Sequence, residues 1–162
     1  MTVTQTMVRV AETAIAGSGE TLYTLGLGSC VAVLLYDPAA RLAGMAHVLL
    51  PGPPHRDQEV APGKYATSAI PHLLEMMVAA GAERDRITAR LVGGAAMFRA
   101  LITESLLNMG ARNLAAVREA LTAEGIDIVG EETGKEHGRS VHFHASDGSV
   151  TVSSVLHGKV EL

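Results

Sequence analysis

Six consecutive apolar residues, Val31-Ala32-Val33-Leu34-Leu35-Tyr36, form the longest unbroken part of the hydrophobic pattern. A run this short, partly β-branched and bounded by Asp37-Pro38, predicts a strand buried on both faces. Thr21 to Leu27 alternates and predicts the strand before it. Leu42 to Leu50 predicts the strand returning after a turn at Asp37-Pro38-Ala39-Ala40. Val8 to Ile15 reads as an edge strand. Ala66, Ile70, Leu73, Leu74, Met77 and Val78 fall on one stripe and predict a helix. Pro71 suits only its first turn, so Thr67 or Ser68 is the expected cap, and Gly81 the end. Ile87–Val92 predicts a strand and Leu101–Met109 a short helix. Leu114, Val117 and Leu121 predict a firmer helix, capped by Asn113 and closed by Gly125. Ile126–Val129, Ser140–His144 and Ser149–Val155 predict three more strands, with an Asp147-Gly148 hairpin turn between the last two.

This order predicts one mixed α/β (α+β) domain over residues 1–162, richer in strands than in helices. The length suffices for a substantial core. Aromatic residues are only 3% and Trp is absent, so a base-stacking platform for single-stranded nucleic acid is not expected. A net charge of −4 with no run of like sign gives no footprint for nucleic acid or a membrane surface. The first residues lack the basic start and apolar segment of a signal peptide, and no apolar stretch reaches a membrane-spanning length. A soluble cytoplasmic protein without membrane insertion is the expectation.

Cys30 is the only cysteine. It follows Gly26-Leu27-Gly28-Ser29, where small residues leave room for a substrate to approach the thiol. A hairpin turning on Pro38-Ala39 sets His47 opposite Cys30. A histidine in reach of a thiol takes its proton and returns one to the leaving group. Thr24, by its hydroxyl or its carbonyl, is the local candidate to fix the imidazole. The backbone around Gly28 and Ser29, with the N–H groups of Ser29 and Cys30, is a candidate oxyanion hole. The same residues also read as packing: a lone cysteine beside valines is a small core hydrophobe, and His47 among Met45, Ala46, Val48 and Leu49 a hydrogen-bonded core histidine. His142 and His144 share one face of a strand with His137 nearby, a rival metal reading. Two imidazoles without a third ligand fixed by spacing do not sustain it, so no metal is expected. Gly26-x-Gly28 lacks the helix and the third glycine of a dinucleotide-binding turn.

The runs LGLGSCVAVLLYDP (25–38) and GMAHVLLP (44–51) resemble the signature of the CheD family of chemoreceptor glutamine deamidases. The resemblance continues through PGKYA (62–66), VGGAAMF (92–98), NMGARN (108–113), Thr133-Gly134 and Gly138-Arg139-Ser140-Val141. It implies a layered sandwich of β-sheets packed against two or three helices, similar to the catalytic domain of the cytotoxic necrotizing factor toxins. It implies hydrolysis of selected receptor glutamines to glutamate with release of ammonia, and further activity on receptor methyl esters. Cys30 would be the nucleophile, His47 the base and Thr24 the third residue, with no cofactor. The implied partners are the cytoplasmic helical domains of chemotaxis receptors and a CheC-type phosphatase. The alternative is a regulatory binding module that docks such a phosphatase. The Pro53-Pro54-His55 loop varies in the family and takes no assigned role.

Overall fold

A computed structural model of the chain describes residues 4–53, 61–97 and 108–162. Among these lie ten strands: β1 (Thr4–Met7), β2 (Thr13–Ala16), β3 (Glu20–Leu27), β4 (Val31–Asp37), β5 (Leu42–Val48), β6 (Thr88–Gly93), β7 (Ile128–Thr133), β8 (Arg139–His144), β9 (Val150–Ser154) and β10 (Gly158–Glu161). Two α-helices accompany them, α1 (Ala66–Ala79) and α2 (Met109–Ala123). The strands form two five-stranded sheets, ordered β1-β3-β8-β9-β10 and β2-β5-β4-β6-β7.

The three layers follow from the two faces of β4. Val31, Val33 and Leu35 join a core with α1 and α2 residues such as Ile70, Leu73, Met77, Val117 and Leu121. Ala32, Leu34 and Tyr36 join a second core with Leu22, Leu27, Val141 and Phe143 of the first sheet. Every residue of β4 and of β5 is buried, as a middle layer requires. At Gly44 on β5 an added Cβ would lie 2.8 Å from Met77 Sδ, so the glycine lets α1 settle close on the sheet. The fold is the expected α+β arrangement of sheets against helices.

Four expectations change. The predicted Val8–Ile15 strand is a crossing segment that leads into β2, which runs antiparallel to β5, while the unpredicted β1 just before it runs parallel to β3. The chain crosses between sheets at residues 8–12, where Ala11 has φ +69°. Helix α1 starts at Ala66 with Tyr65 at its N-cap, and Pro71 lies inside it. Helix α2 starts at Met109 with Asn108 as its N-cap, which places Asn113 in the helix and on its buried stripe. The predicted Ile126–Val129 strand is β7, displaced toward Thr133, and β10 adds a fully exposed edge that alternation did not mark. The predicted Leu101–Met109 helix falls mostly outside the described residues, as do Pro54 and His55.

Candidate active site

The two sheets meet at a hydrogen bond between Thr24 on β3 and His47 on β5. Thr24 Oγ1 lies 3.0 Å from His47 Nδ1, and the Val8 carbonyl oxygen lies 3.2 Å from the same nitrogen. A carbonyl can only accept, so Nδ1 carries the hydrogen, Thr24 Oγ1 is a second acceptor, and the lone pair sits on Nε2. The crossing segment holds this geometry in place. Val8 N–H donates to Tyr23 O (2.8 Å), Ala11 N–H to His47 O (2.9 Å), and His47 N–H to Glu12 O (3.0 Å). Burial pushes the His47 pKa below its ordinary value, against the opposing pull of the Val8 carbonyl and the Glu12 charge. The imidazole is therefore neutral at pH 7 and able to take a proton.

The hairpin register differs from the expected one by two residues. Ala32, not Cys30, lies opposite His47, and Val31 lies opposite Val48. The reason is the turn: Asp37 pairs with Leu42 rather than Ala40, and Arg41 adopts φ +50°, so the loop is two residues longer on its far side and its centre moves. A shift of two preserves the face. Cys30, half-buried, thus packs on the inter-sheet side with Ala32 and sits diagonally from His47, with no hydrogen bond joining the two side chains. Burial raises the thiol pKa, and the residue's own backbone N–H pulls the other way. The resting pair is a neutral thiol and a neutral imidazole.

The loop that carries Cys30 is held from behind by three carbonyl contacts. Gly28 O accepts from Ala95 N–H and Cys30 O from Gly94 N–H, both at 2.9 Å. Ser29 O accepts from Asn113 Nδ2 at 2.9 Å, and the same nitrogen lies 3.0 Å from Leu49 O. The approach is tight: Gly93 has φ +109°, and a Cβ there would fall 2.3 Å from Cys30 O. Asn113 is fully buried, and among the described residues its Oδ1 has no partner. Sequence reasoning took it for a cap. The available signal was its place four residues before Val117, on the apolar stripe of the helix.

His137, His142, His144 and His157 are occupied elsewhere. His142 stacks on Tyr23 with ring centres 5.4 Å apart, and His144 Nδ1 lies 3.0 Å from Thr21 Oγ1. His137 packs against His157, 4.2 Å between centres. Among the described residues, no group of three or more His, Cys, Asp or Glu side chains is placed to hold a metal ion. Beside the Cys30 loop runs an open groove of about 600 Å³, lined by Gly26, Met97, Arg139, Ser140, Val155 and Leu156 among others. Among the described residues no helix is long and apolar enough to cross a membrane.

A half-buried thiol beside an imidazole whose tautomer is fixed from a facing sheet has the make-up of a thiol hydrolase centre. Comparison with known proteins identifies a family. The profile of the CheD family, described as CheD chemotactic sensory transduction, matches residues 49–154. A protein of Caldanaerobacter subterraneus subsp. tengcongensis, named "Probable chemoreceptor glutamine deamidase CheD", is 39% identical over 151 residues, covering 93% of each chain. Proteins with the same name from Methanococcus vannielii and Archaeoglobus fulgidus are 40% and 42% identical over 145 and 146 residues, covering 90% of this chain and 92% and 90% of theirs. The chain belongs to the CheD family. Among solved structures, the Bacillus licheniformis hypothetical protein YfiH overlaps 76% of this chain and 49% of its own, with TM-score 0.46 and 16% identity, a likeness too distant to bear on fold or function.

Proposed function

We propose that this chain is a chemoreceptor glutamine deamidase, with Cys30 as nucleophile, His47 as base and Thr24 as the residue that orients the base. The single observation that carries the residue assignment is the Thr24–His47–Val8 contact, which leaves the basic nitrogen of His47 free on the face it shares with Cys30. In this reading His47 Nε2 takes the Cys30 proton as sulfur attacks the glutamine carboxamide. The C–S bond forms and the carbonyl becomes an oxyanion. The C–N bond then breaks, nitrogen leaves as ammonia with the proton from His47, and a thioester remains. Water, deprotonated by the same nitrogen, attacks the thioester to give glutamate and restore the thiol. In this reading the N–H groups of the Gly28-Ser29-Cys30 loop meet the oxyanion. A methyl ester would follow the same path with methanol leaving.

Residues 1–162 act as one catalytic domain in the cytoplasm, where the helical signalling domains of receptors are found. The groove beside Gly26 and Met97 supports a long helical substrate, since it is open rather than enclosed. A CheC-type phosphatase would compete for that surface.

The test is ammonia release and amide-to-acid conversion, followed by mass spectrometry, on a purified receptor cytoplasmic domain. Cys30→Ala is expected to abolish both while receptor binding persists. Deamidation by Cys30→Ala at the wild-type rate would refute the assignment. An inactive wild type that still binds a phosphatase would favour the regulatory-module reading.

A further inference from the structure

The Ser29–Cys30 peptide is held by its oxygen. In a planar trans peptide the N–H points opposite to the preceding C=O. Ser29 O is directed at Asn113 on α2, on the helix side of the middle sheet. The Cys30 N–H therefore points to the other side, toward the layer that Cys30 and His47 face. Among the described residues, no acceptor takes the N–H of Ser29 or of Cys30, whereas the carbonyls of Gly28, Ser29 and Cys30 are each occupied.

Asn113 does more than fill a gap. Its Nδ2 also holds Leu49 O, two residues beyond His47, so one amide group spans the start of β4 and the end of β5. Among the described residues its own Oδ1 is buried without a partner, a cost that a residue serving only core stability would avoid.

The geometry points to Asn113 as a positioning residue for deamidation: it aims the Cys30 N–H at the oxyanion and ties that amide to the strand bearing His47. This rests on the reading of Cys30 as the nucleophile. Asn113 touches neither substrate nor sulfur in this role. It acts through the orientation of one peptide plane.

The experiment compares the full-length wild type with Asn113→Ala and the near-isosteric Asn113→Asp. Steady-state deamidation of a purified receptor cytoplasmic domain is read alongside the rate of Cys30 alkylation by iodoacetamide as pH is varied. Alkylation builds no oxyanion, so it reports thiol access and acidity without the amide. The expected result is a fall in kcat of about 100-fold. KM and the alkylation profile should stay within about two-fold of wild type, since neither depends on a group that stabilises only the transition state. An unchanged kcat overturns the proposal. So does a parallel fall in kcat and alkylation, which would mean collapse of the loop. Should neither variant fold, amide hydrogen exchange on the wild type decides. The Cys30 N–H should exchange freely while those of Gly94 and Ala95 are protected, and a protected Cys30 N–H overturns the proposal. Failure of the deamidase reading itself appears separately, in the wild-type and Cys30→Ala arms.

Discussion

The two ends of the β4–β5 hairpin bury polar groups and treat them in opposite ways. At the turn, Asp37 is fully buried, yet its oxygens accept from Ala39 N–H (3.0 Å), Ala40 N–H (3.2 Å), Glu83 N–H (2.8 Å) and the Arg86 guanidinium (2.9 Å). Burial alone would raise its pKa, but the Arg86 bond and the backbone donors prevail and hold it at about 2. At the open end, the His47 Nε2 lone pair, the Cys30 thiol, two loop N–H groups and Asn113 Oδ1 have no partner among the described residues. Bonding capacity is saturated where the hairpin must only hold and left over where a substrate can use it. The polar groups differ less in burial than in what remains unanswered.

That contrast can be broken at either end. The largest expected effect on the folded state is Asp37→Asn, which removes the buried charge and leaves Arg86 only its exposed partner Glu83, 3.1 Å away. Because Arg86 still reaches water, the expected loss is about 2 kcal/mol, short of that for a fully buried pair. For a chain of this size that lowers Tm by roughly 6 °C, measurable by calorimetry. The activity of the molecules that remain folded should be unchanged. Thr24→Val acts at the other end. It keeps the volume and removes one of the two acceptors at Nδ1, leaving Val8 O to hold the tautomer. We expect kcat to fall roughly ten-fold, about 1.4 kcal/mol of transition-state stabilisation, with Tm little altered. A Tm loss matching that of Asp37→Asn, or an undiminished kcat, would erase the distinction between the ends.

The smallest effect is one of pH on stability, and its sign separates the two groups. The folded pKa of His47 lies below the 6.5 of the free imidazole. The unfolded chain therefore binds the extra proton first, and stability falls as pH drops through 6.5 toward the folded value. The slope is at most about 1.4 kcal/mol per pH unit. The Asp37 contribution is intact through that window and is lost only between 3.8 and about 2. Urea titrations at stepped pH should show a smaller first loss in His47→Gln than in wild type, the remainder coming from His137 and His142, whose pKa values burial also lowers. In the same way, the acid limb of kcat/KM should lie below 6.5.

How much of this could be read from the chain depends on which signals were local. The middle strands were legible because β4 is a continuous apolar run that ends at Asp37-Pro38. The face shared by Cys30 and His47 was legible for the same reason. The two-residue register error arose at Arg41, a non-glycine residue with positive φ that no turn signal announces. Ala11 concealed the break between β1 and β2 in the same way. Thr24 could be nominated by its closeness to the glycine turn, but Val8 could not, since its part is played by a carbonyl. Asn113 was misread because an asparagine just before an apolar stripe is a cap signal. The helix begins one turn earlier, since Gly110 lets it pass against the Gly94 and Ala95 carbonyls, where a Cβ would come within 2.4 and 2.6 Å. Contacts between elements far apart in sequence leave no periodic trace.

The solitary thiol has one more consequence. Because Cys30 is the only cysteine in the chain, the natural sequence is already a single-site labelling reagent for the Gly28-Ser29-Cys30 loop. A thiol-directed fluorophore, spin label or mass tag will report there alone, with no background to engineer away. Occupancy of the groove by a receptor helix or a competing partner can then be followed on the unmodified sequence as protection of one sulfur from one reagent.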